Sequence, residues 1–208
     1  MSTPKNIKGT SAGMPYPRKV LTRLAESEEC KISGNYVKAV EIVEGILLED
    51  PSCLAAVEEL ADNFLSLDKY EEAEKAADFA LKLDEKSYIA NYVKGFLELS
   101  KGRWGQAGEF LKVANQSQPN NPEILRCLGW GTFHAGKRIE GIATLDRALN
   151  LRPEDPMILC DLGVCQLHCN SFQKAVTLFE KALEIAPSNG RAQECLQAAQ
   201  DFQRKFSV

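Results

Sequence analysis

The stretch that decides the fold runs from residue 122 to residue 189, where two 34-residue segments can be written one above the other: PEILRCLGWGTFHAGKRIEGIATLDRALNLRPED (122–155) and PMILCDLGVCQLHCNSFQKAVTLFEKALEIAPSN (156–189). Glycine recurs at the eighth position of both segments, as Gly129 and Gly163, and proline recurs at the thirty-second, as Pro153 and Pro187. A repeat of this length indicates stacked supersecondary units, each of which buries its apolar side against its neighbours.

The same interval continues toward the amino terminus. Five segments follow one another without an insertion: 20–53, 54–87, 88–121, 122–155 and 156–189. The eighth and twentieth positions hold small residues throughout, which let two helix backbones approach closely. The fifteenth position holds residues that tolerate a turn between helices, namely Gly34, Asp68, Gly102, Gly136 and Asn170. Each segment therefore predicts a hairpin of two helices.

This pattern resembles the tetratricopeptide repeat (TPR), which has small residues at these columns and proline at the end of the second helix. The resemblance covers residues 20–187 and implies an all-α fold, a right-handed TPR α-α superhelical solenoid whose first helices line a concave surface. Residues 190–208 continue the helical spacing of apolar residues and are expected to form a capping helix and tail. Residues 1–19 carry four basic residues and three prolines, and we expect a flexible arm there.

Composition and charge bound the class of protein. Of 208 residues, 44% are hydrophobic and 26% charged, and no apolar run reaches the roughly 18 residues that a membrane helix needs. The net charge of −4 comprises +4 in residues 1–19, −10 in 20–87 and +2 in 88–208. Because the repeats together are acidic, the charge argues against nucleic-acid binding, which needs a basic surface. No secretory leader is visible, and none of the seven cysteines forms a Cys-x-x-Cys pair. We therefore expect a cytoplasmic protein without membrane insertion.

The first helices of repeats three to five are expected to present an apolar surface. On a helical wheel, positions 4, 7, 8 and 11 form the packing stripe, and positions 2, 5, 9, 12 and 13 lie on the other side. The side chains expected there are Ile89, Tyr92, Phe96, Leu99, Arg126, Trp130, Phe133, His134, Met157, Val164, Leu167 and His168. Four exposed aromatic rings present on the order of 600 Å², at the top of what monomers leave open to water. These residues are therefore predicted to form a partner-binding groove.

Two other interpretations of this surface stay open at the level of the sequence. The rings belong to the core if the wheel is rotated slightly, or the basic arm around Met14, Tyr16 and Pro17 covers the groove of its own chain or of a neighbour. We favour a groove for an extended or helical apolar segment of a partner protein or peptide. A homodimer is compatible with this prediction.

Comparison within the resembling family narrows the kind of partner. Heat-shock co-chaperones with TPR folds hold a C-terminal carboxylate with lysine and asparagine at positions 5 and 9 of one repeat. In the fourth repeat these positions are Arg126 and Trp130, and the other repeats lack the pair as well. The apolar surface is more similar to that of cytosolic secretion-system chaperones with TPR folds, and a structural subunit of a larger assembly fits equally well. We predict a non-catalytic adaptor, scaffold or chaperone.

One chemical alternative is a metal site. His134 and His168 occupy the same position of neighbouring repeats, and Cys165 and Cys169 are close in sequence. However, the cysteine positions point towards packing and the histidine position towards the groove, so the ligands would diverge. No glycine-rich phosphate loop or Ser/His/Asp arrangement occurs either. We predict no enzymatic activity, no cofactor and no metal.

Overall fold

The computed structural model of the protein describes residues 16–206, and the regular structure in this range is entirely α-helical. The all-α prediction is therefore confirmed. The helices are α1 (Arg18–Ile32), α2 (Tyr36–Glu49), α3 (Leu54–Ser66), α4 (Tyr70–Leu83), α5 (Tyr88–Ser100), α6 (Trp104–Ser117), α7 (Pro122–His134), α8 (Arg138–Leu151), α9 (Pro156–His168), α10 (Phe172–Ile185) and α11 (Gly190–Phe206).

Capping residues mark the starts of α7 and α9, and residues with positive φ mark the turns between paired helices. Asn121 and Asp155 cap α7 and α9 by accepting hydrogen bonds from backbone amides of the first turn, and a proline follows each cap as the first helical residue. Between the two helices of each hairpin the backbone turns through the left-handed region. The residues with positive φ are Gly34, Asp68, Gly102, Gly136 and Asn170, with angles from 56° to 92°. They are the fifteenth-position residues that the sequence identifies as turn formers.

The chain divides into two compact units, residues 1–101 and 102–208. The first unit contains α1 to α5 in its described part. Its larger core cluster is made of α3, α4 and α5 side chains, in which Ala61, Ala73 and Ala90 are fully buried. A second cluster joins α1, α2 and the start of α3 through Leu24, Val43, Ile46, Cys53 and Ala56. Small side chains at the eighth and twentieth positions thus lie where two helices meet.

In the first unit, Arg23 occupies a position of the repeat that is usually apolar, and specific partners hold its side chain. The Arg23 guanidinium donates to the Ile42 carbonyl at 3.2 Å and pairs with Glu49 at 3.0 Å. It crosses α2 at Gly45, where a β-carbon would collide with its Nη2 atom. Because glycine leaves this space open, an arginine can occupy a position that Val57, Leu125 and Leu159 fill in other repeats.

The second unit contains α6 to α11. The backbones of α7 and α8 are in contact where the two helices cross, because a β-carbon on Gly129 would lie 2.9 Å from the Gly141 carbonyl oxygen. Such contact between backbones requires glycine. At the far end, α11 packs against α9 and α10, and its Ala192 and Ala199 are fully buried in two small clusters. This buried side of α11 covers apolar surface that the last hairpin would otherwise expose, and polar residues lie on its outer side.

The amino-terminal part of the description begins at Tyr16. The Tyr16 hydroxyl accepts a hydrogen bond from the Ala55 amide at 3.3 Å, and its ring packs beside the Leu24 cluster. Helix α1 begins at Arg18, so Arg18 and Lys19, which the sequence places in the flexible arm, are helical. The expectation that the rest of the arm covers a groove concerns residues 1–15, which lie outside the described range. Within the described range, no helix is long and apolar enough to cross a membrane.

Candidate partner-binding face on helices α7, α9 and α11

The predicted groove residues fall into both units and are described for each unit in turn. In the first unit, Ile89, Tyr92 and Phe96 of α5 pack partly buried against the core cluster of α3 and α4. The rings of Tyr92 and Phe96 lie 6.4 Å apart between centroids. Leu99 is half-buried. These side chains are tied to the core of their own unit and leave only their edges accessible.

In the second unit the predicted residues lie on α7 and α9, which pack side by side, and α11 packs on the other side of α9. We call the accessible surface there the α7–α9–α11 face. It is defined by Arg126, Trp130 and His134 of α7, Met157, Val164 and His168 of α9, and Arg191 of α11. Contacts between helices hold the face together: the rings of His134 and His168 are 6.3 Å apart, and Arg191 of α11 reaches Trp130 of α7.

Two predicted groove residues of this unit lie elsewhere. The Phe133 ring is only 4% exposed and belongs to the core cluster of α7, α8 and α9, so it cannot offer a surface to a partner. Phe133 follows Gly129 by four residues, which puts both on the same side of α7, towards α8. Leu167 is half-buried against the cluster of α10 and α11, and Val164 contacts the same cluster at the edge of the face. Position 12 of the repeat therefore packs inward.

An ion-pair chain runs beneath the face. The Asp161 carboxylate on α9 is 2% exposed, and its Oδ2 atom accepts from Arg126 Nη1 at 2.8 Å. Its other oxygen faces Arg191 Nη1 at 3.3 Å. Arg126 is also held by Glu123, one turn earlier on α7, at 2.6 Å. Burial raises the pKa of Asp161, and the two guanidinium groups counteract that rise.

Arg191 covers one face of the Trp130 indole. Its guanidinium carbon lies 5.4 Å from the ring centroid, within the range of a cation–π interaction. Arg191 starts from α11 and Trp130 belongs to α7, so this contact joins two helices that both pack against α9. The Arg191 side chain remains 46% exposed while it makes both contacts.

The end of the face at the last turn of α7 is aromatic. The His134 ring stacks on Trp104 of α6 with centroids 4.8 Å apart and lies 4.2 Å from the Trp130 ring. Burial lowers the pKa of His134, and the neighbouring His168 lowers it further. Both effects favour the neutral imidazole of His134.

Asp161 and Arg191 were not anticipated from the sequence. Asp161 is the one acidic residue of α9, flanked by apolar residues in PMILCDLGVCQLH, and a buried acid of this kind needs a cationic partner. That pattern signals a buried ion pair. It does not signal which of the fourteen basic residues after residue 87 supplies the cation.

A second polar cluster lies in the first unit and is satisfied internally. Lys31 of α1 pairs with Asp62 at 2.7 Å and Glu59 at 2.9 Å on α3. Burial lowers the pKa of Lys31, but the two carboxylates raise it by more, so the lysine stays charged. Glu58 accepts a hydrogen bond from the Ser87 hydroxyl at 2.6 Å, and burial raises the pKa of Glu58 to about 7. These contacts join α1, α3 and α5.

Four of the seven cysteines, Cys53, Cys127, Cys160 and Cys165, are buried. Burial raises the pKa of Cys127 to about 12, of Cys160 to about 11 and of Cys165 to about 12, which makes their thiols poor nucleophiles at neutral pH. Among residues 16–206, no group of three or more potential ligands is arranged to hold a metal ion.

These features define the chain as a helical-repeat protein with an accessible, partly aromatic face. A model of the tetratricopeptide repeat matches residues 58–122 and 134–190, together more than half of the chain. The chain therefore belongs to the tetratricopeptide repeat family. Proteins of this family bind proteins or peptides and are generally non-catalytic.

Individual relatives agree with this assignment. The peroxisomal targeting signal receptor of Saccharomyces cerevisiae is 25% identical over 166 residues, which cover 75% of this chain and 27% of the receptor. The chain thus spans about a quarter of that receptor's length. Two solved structures share the fold. The TPR protein TTC0263 of Thermus thermophilus has a TM-score of 0.67 and 23% identity, covering 87% of this chain and 98% of its own. PilF of Pseudomonas aeruginosa has a TM-score of 0.68 and 16% identity, covering 90% and 92%.

Proposed function

We propose that this chain is a non-catalytic adaptor, scaffold or chaperone of the cytoplasm, whose α7–α9–α11 face binds an extended or helical apolar segment of a partner protein. The proposal keeps five repeats with the bounds read from the sequence, 20–53, 54–87, 88–121, 122–155 and 156–189, followed by the cap. It requires neither a metal nor a cofactor.

The observation that carries the proposal is the accessibility of large apolar side chains on this face. Met157 is 45% exposed in the first turn of α9, and Trp130 remains only half-buried one helix away. His168 is exposed at the other end of α9. Tryptophan, methionine and arginine are enriched at interface cores, where burial of apolar area stabilises a complex.

The yeast relative supports this kind of ligand. Its name describes a receptor for a targeting signal, which is a segment of another protein. The apolar character of the face in the present chain fits a segment that contributes two or three large side chains. Helix-in-groove and extended-peptide recognition both use such anchors.

The proposal is tested by selecting ligands without assuming a partner. A library of random displayed peptides is panned on the purified full chain, and the enriched peptides are measured by fluorescence anisotropy. We expect Met157→Glu to weaken their binding about tenfold or more, because it replaces an exposed apolar side chain of the face by a charge. Met157 is exposed, so this variant should keep its helicity by circular dichroism.

Ile139→Ala serves as the matched control. Ile139 is 88% exposed on α8, outside the α7–α9–α11 face, and its loss should leave peptide binding unchanged. Enriched peptides that bind Met157→Glu as well as they bind the unmodified chain would move the binding site to another surface.

A structural subunit that associates with a second copy is the other candidate. Phe172 of α10 and Phe202 of α11 stack at 5.8 Å, and Phe206 continues the stack with 60% of its surface exposed. If two chains join through these rings, sedimentation should show a dimer that Phe206→Ser converts to monomer. A monomer at all concentrations would exclude this candidate.

A further inference from the structure

We propose that the partner segment presents an arginine side chain to Asp161 and Trp130, at the position that the chain's own Arg191 fills in the structure. This inference rests on the proposed function, since it specifies the chemistry of the segment that the α7–α9–α11 face binds. Arg191 acts in it as an internal stand-in that a partner displaces.

The site has the two features that recognise a guanidinium group. The Asp161 carboxylate provides a buried negative charge, and the Trp130 ring provides a flat aromatic surface beside it. Arginine is planar, always charged and weakly hydrated, so it can pair with a carboxylate and stack on an indole at the same time. The position taken by Arg191 shows that one guanidinium satisfies both groups.

The two arginines on Asp161 differ in how firmly they are held. Arg126 is 11% exposed, lies 2.8 Å from Asp161 and is braced a second time by Glu123. Arg191 is 46% exposed and lies at the longer distance of 3.3 Å. Arg126 therefore belongs to the fixed part of the site, and Arg191 is the exchangeable cation.

The location of Arg191 in its helix also disfavours it as a permanent partner. It is the second residue of α11, and the amino-terminal end of a helix carries a partial positive charge that opposes a cation. The same field acts on a partner's arginine at this position, so it weakens the hold on Arg191 without choosing between the two cations. Gly190 precedes Arg191 and has open space where a side chain would lie, so the approach is not blocked there.

A protein segment is the occupant that fits best, because an arginine alone has to compete with a tethered one. Arg191 is held near the site by its own chain, which gives it a high effective concentration. A ligand overcomes this advantage only when further groups bind beside the site. Met157 lies one helical turn before Asp161 on α9 and offers an apolar contact at that place.

The test uses Trp130 as its own reporter. The chain has two tryptophans, so Trp104→Phe leaves Trp130 as the single indole. This variant, with and without Arg191→Ala, is titrated with N-acetylarginine methylamide while Trp130 emission is followed. We expect removal of Arg191 to strengthen binding of the probe about tenfold or more. N-acetylcitrulline methylamide, which has a similar shape and no charge, should bind neither protein.

Arg138→Ala is the matched control for this experiment. Arg138 also places its guanidinium over an aromatic ring, 6.0 Å from Phe133, but it lies on α8, whereas the ion pairs of Asp161 are with Arg126 and Arg191. Its loss should leave the affinity for the arginine probe unchanged. A gain in affinity equal to that of Arg191→Ala would mean that removal of any nearby cation suffices, and would overturn the inference.

The remaining outcomes separate the inference from the proposed function. If arginine and citrulline probes bind the Arg191→Ala variant equally, or the arginine probe does not bind it, Arg191 is a fixed brace and the inference is wrong. Displayed peptides that depend on Met157 but contain no arginine would also overturn it, while the proposed function would stand. Binding of the arginine probe without any peptide that depends on Met157 would overturn the proposed function instead.

Discussion

Gly141 of α8 lies against the backbone of Phe133 of α7, so closely that a β-carbon on Gly141 would stand 2.6 Å from the Phe133 nitrogen. Gly141→Ala must therefore separate the two helices, and we expect it to lower the free energy of unfolding by about 1–3 kcal/mol. Gly108→Ala on α6 is the control, because nothing lies within 4 Å of a β-carbon there. Its better helix propensity should raise stability by up to about 1 kcal/mol. Urea unfolding followed by circular dichroism measures both, and similar losses would contradict the close contact.

The stability of the first unit should depend on the ionisation of Glu58. Burial raises the pKa of Glu58 from its ordinary value of 4.5 to about 7, so the folded protein holds more protons than the unfolded chain between these pH values. The contribution of this group to stability is complete below about pH 4.5 and falls as the pH rises through 7.

Glu58→Gln removes that ionisation while keeping an oxygen for the Ser87 hydroxyl. We expect the variant to be more stable than the unmodified chain at pH 8, by on the order of 2 kcal/mol, and to lose this advantage at pH 4. Glu41→Gln, at an exposed site on α2, should change little at either pH. If the free energies of unfolding of Glu58→Gln and of the unmodified chain differ by the same amount at every pH, Glu58 does not have a raised pKa.

Asn170 turns the chain between α9 and α10 with a φ of 59°, in the left-handed region. Asn170→Ala should lower the free energy of unfolding by about 1–2 kcal/mol, because a β-carbon without a compensating polar group is disfavoured there. Asn170→Gly should match or exceed the unmodified chain, since glycine adopts this conformation without strain. Thermal unfolding of the two variants measures the difference, and the opposite ranking would show that the Asn170 side chain stabilises the turn by its own contacts.

Asp161 is expected to be the most sensitive charge of the second unit. Asp161→Asn leaves Arg126 buried with half of its countercharge removed, and we expect a loss of about 3 kcal/mol or more. Arg191→Ala removes the half-exposed partner and should cost less than about 1 kcal/mol. Chemical denaturation distinguishes the two variants. Equal losses would indicate that Arg191 is as firmly held as Arg126.

The repeat and its turns could be predicted because they depend on backbone sterics within one hairpin. A small residue is needed where the two helices of one repeat touch, as at Gly129 and Gly163. A residue that accepts a positive φ is needed in the turn between them, as at Asp68 and Asn170. Both constraints recur every 34 residues, so the sequence displays them several times. Neither depends on how distant helices are arranged.

The site was harder to predict because it depends on contacts between repeats. Apolar residues occupy both sides of α7, so the pattern did not separate Phe133, which packs towards α8, from Trp130, which remains accessible. The pairing of Asp161 with Arg191 joins residues 30 positions apart through the packing of α11 on α9. No periodicity in the sequence marks which arginine makes such a contact.

Helix α11 joins two properties that experiments usually treat separately. Its buried Ala192 and Ala199 close the end of the array, and Arg191 in its first turn shields Trp130. A truncated chain that stops before Gly190 would therefore lose its cap and unmask the indole at once. Stronger binding of such a fragment to other proteins would reflect both changes. Only the substitution of Arg191 alone, with α11 kept in place, distinguishes specific binding from non-specific association.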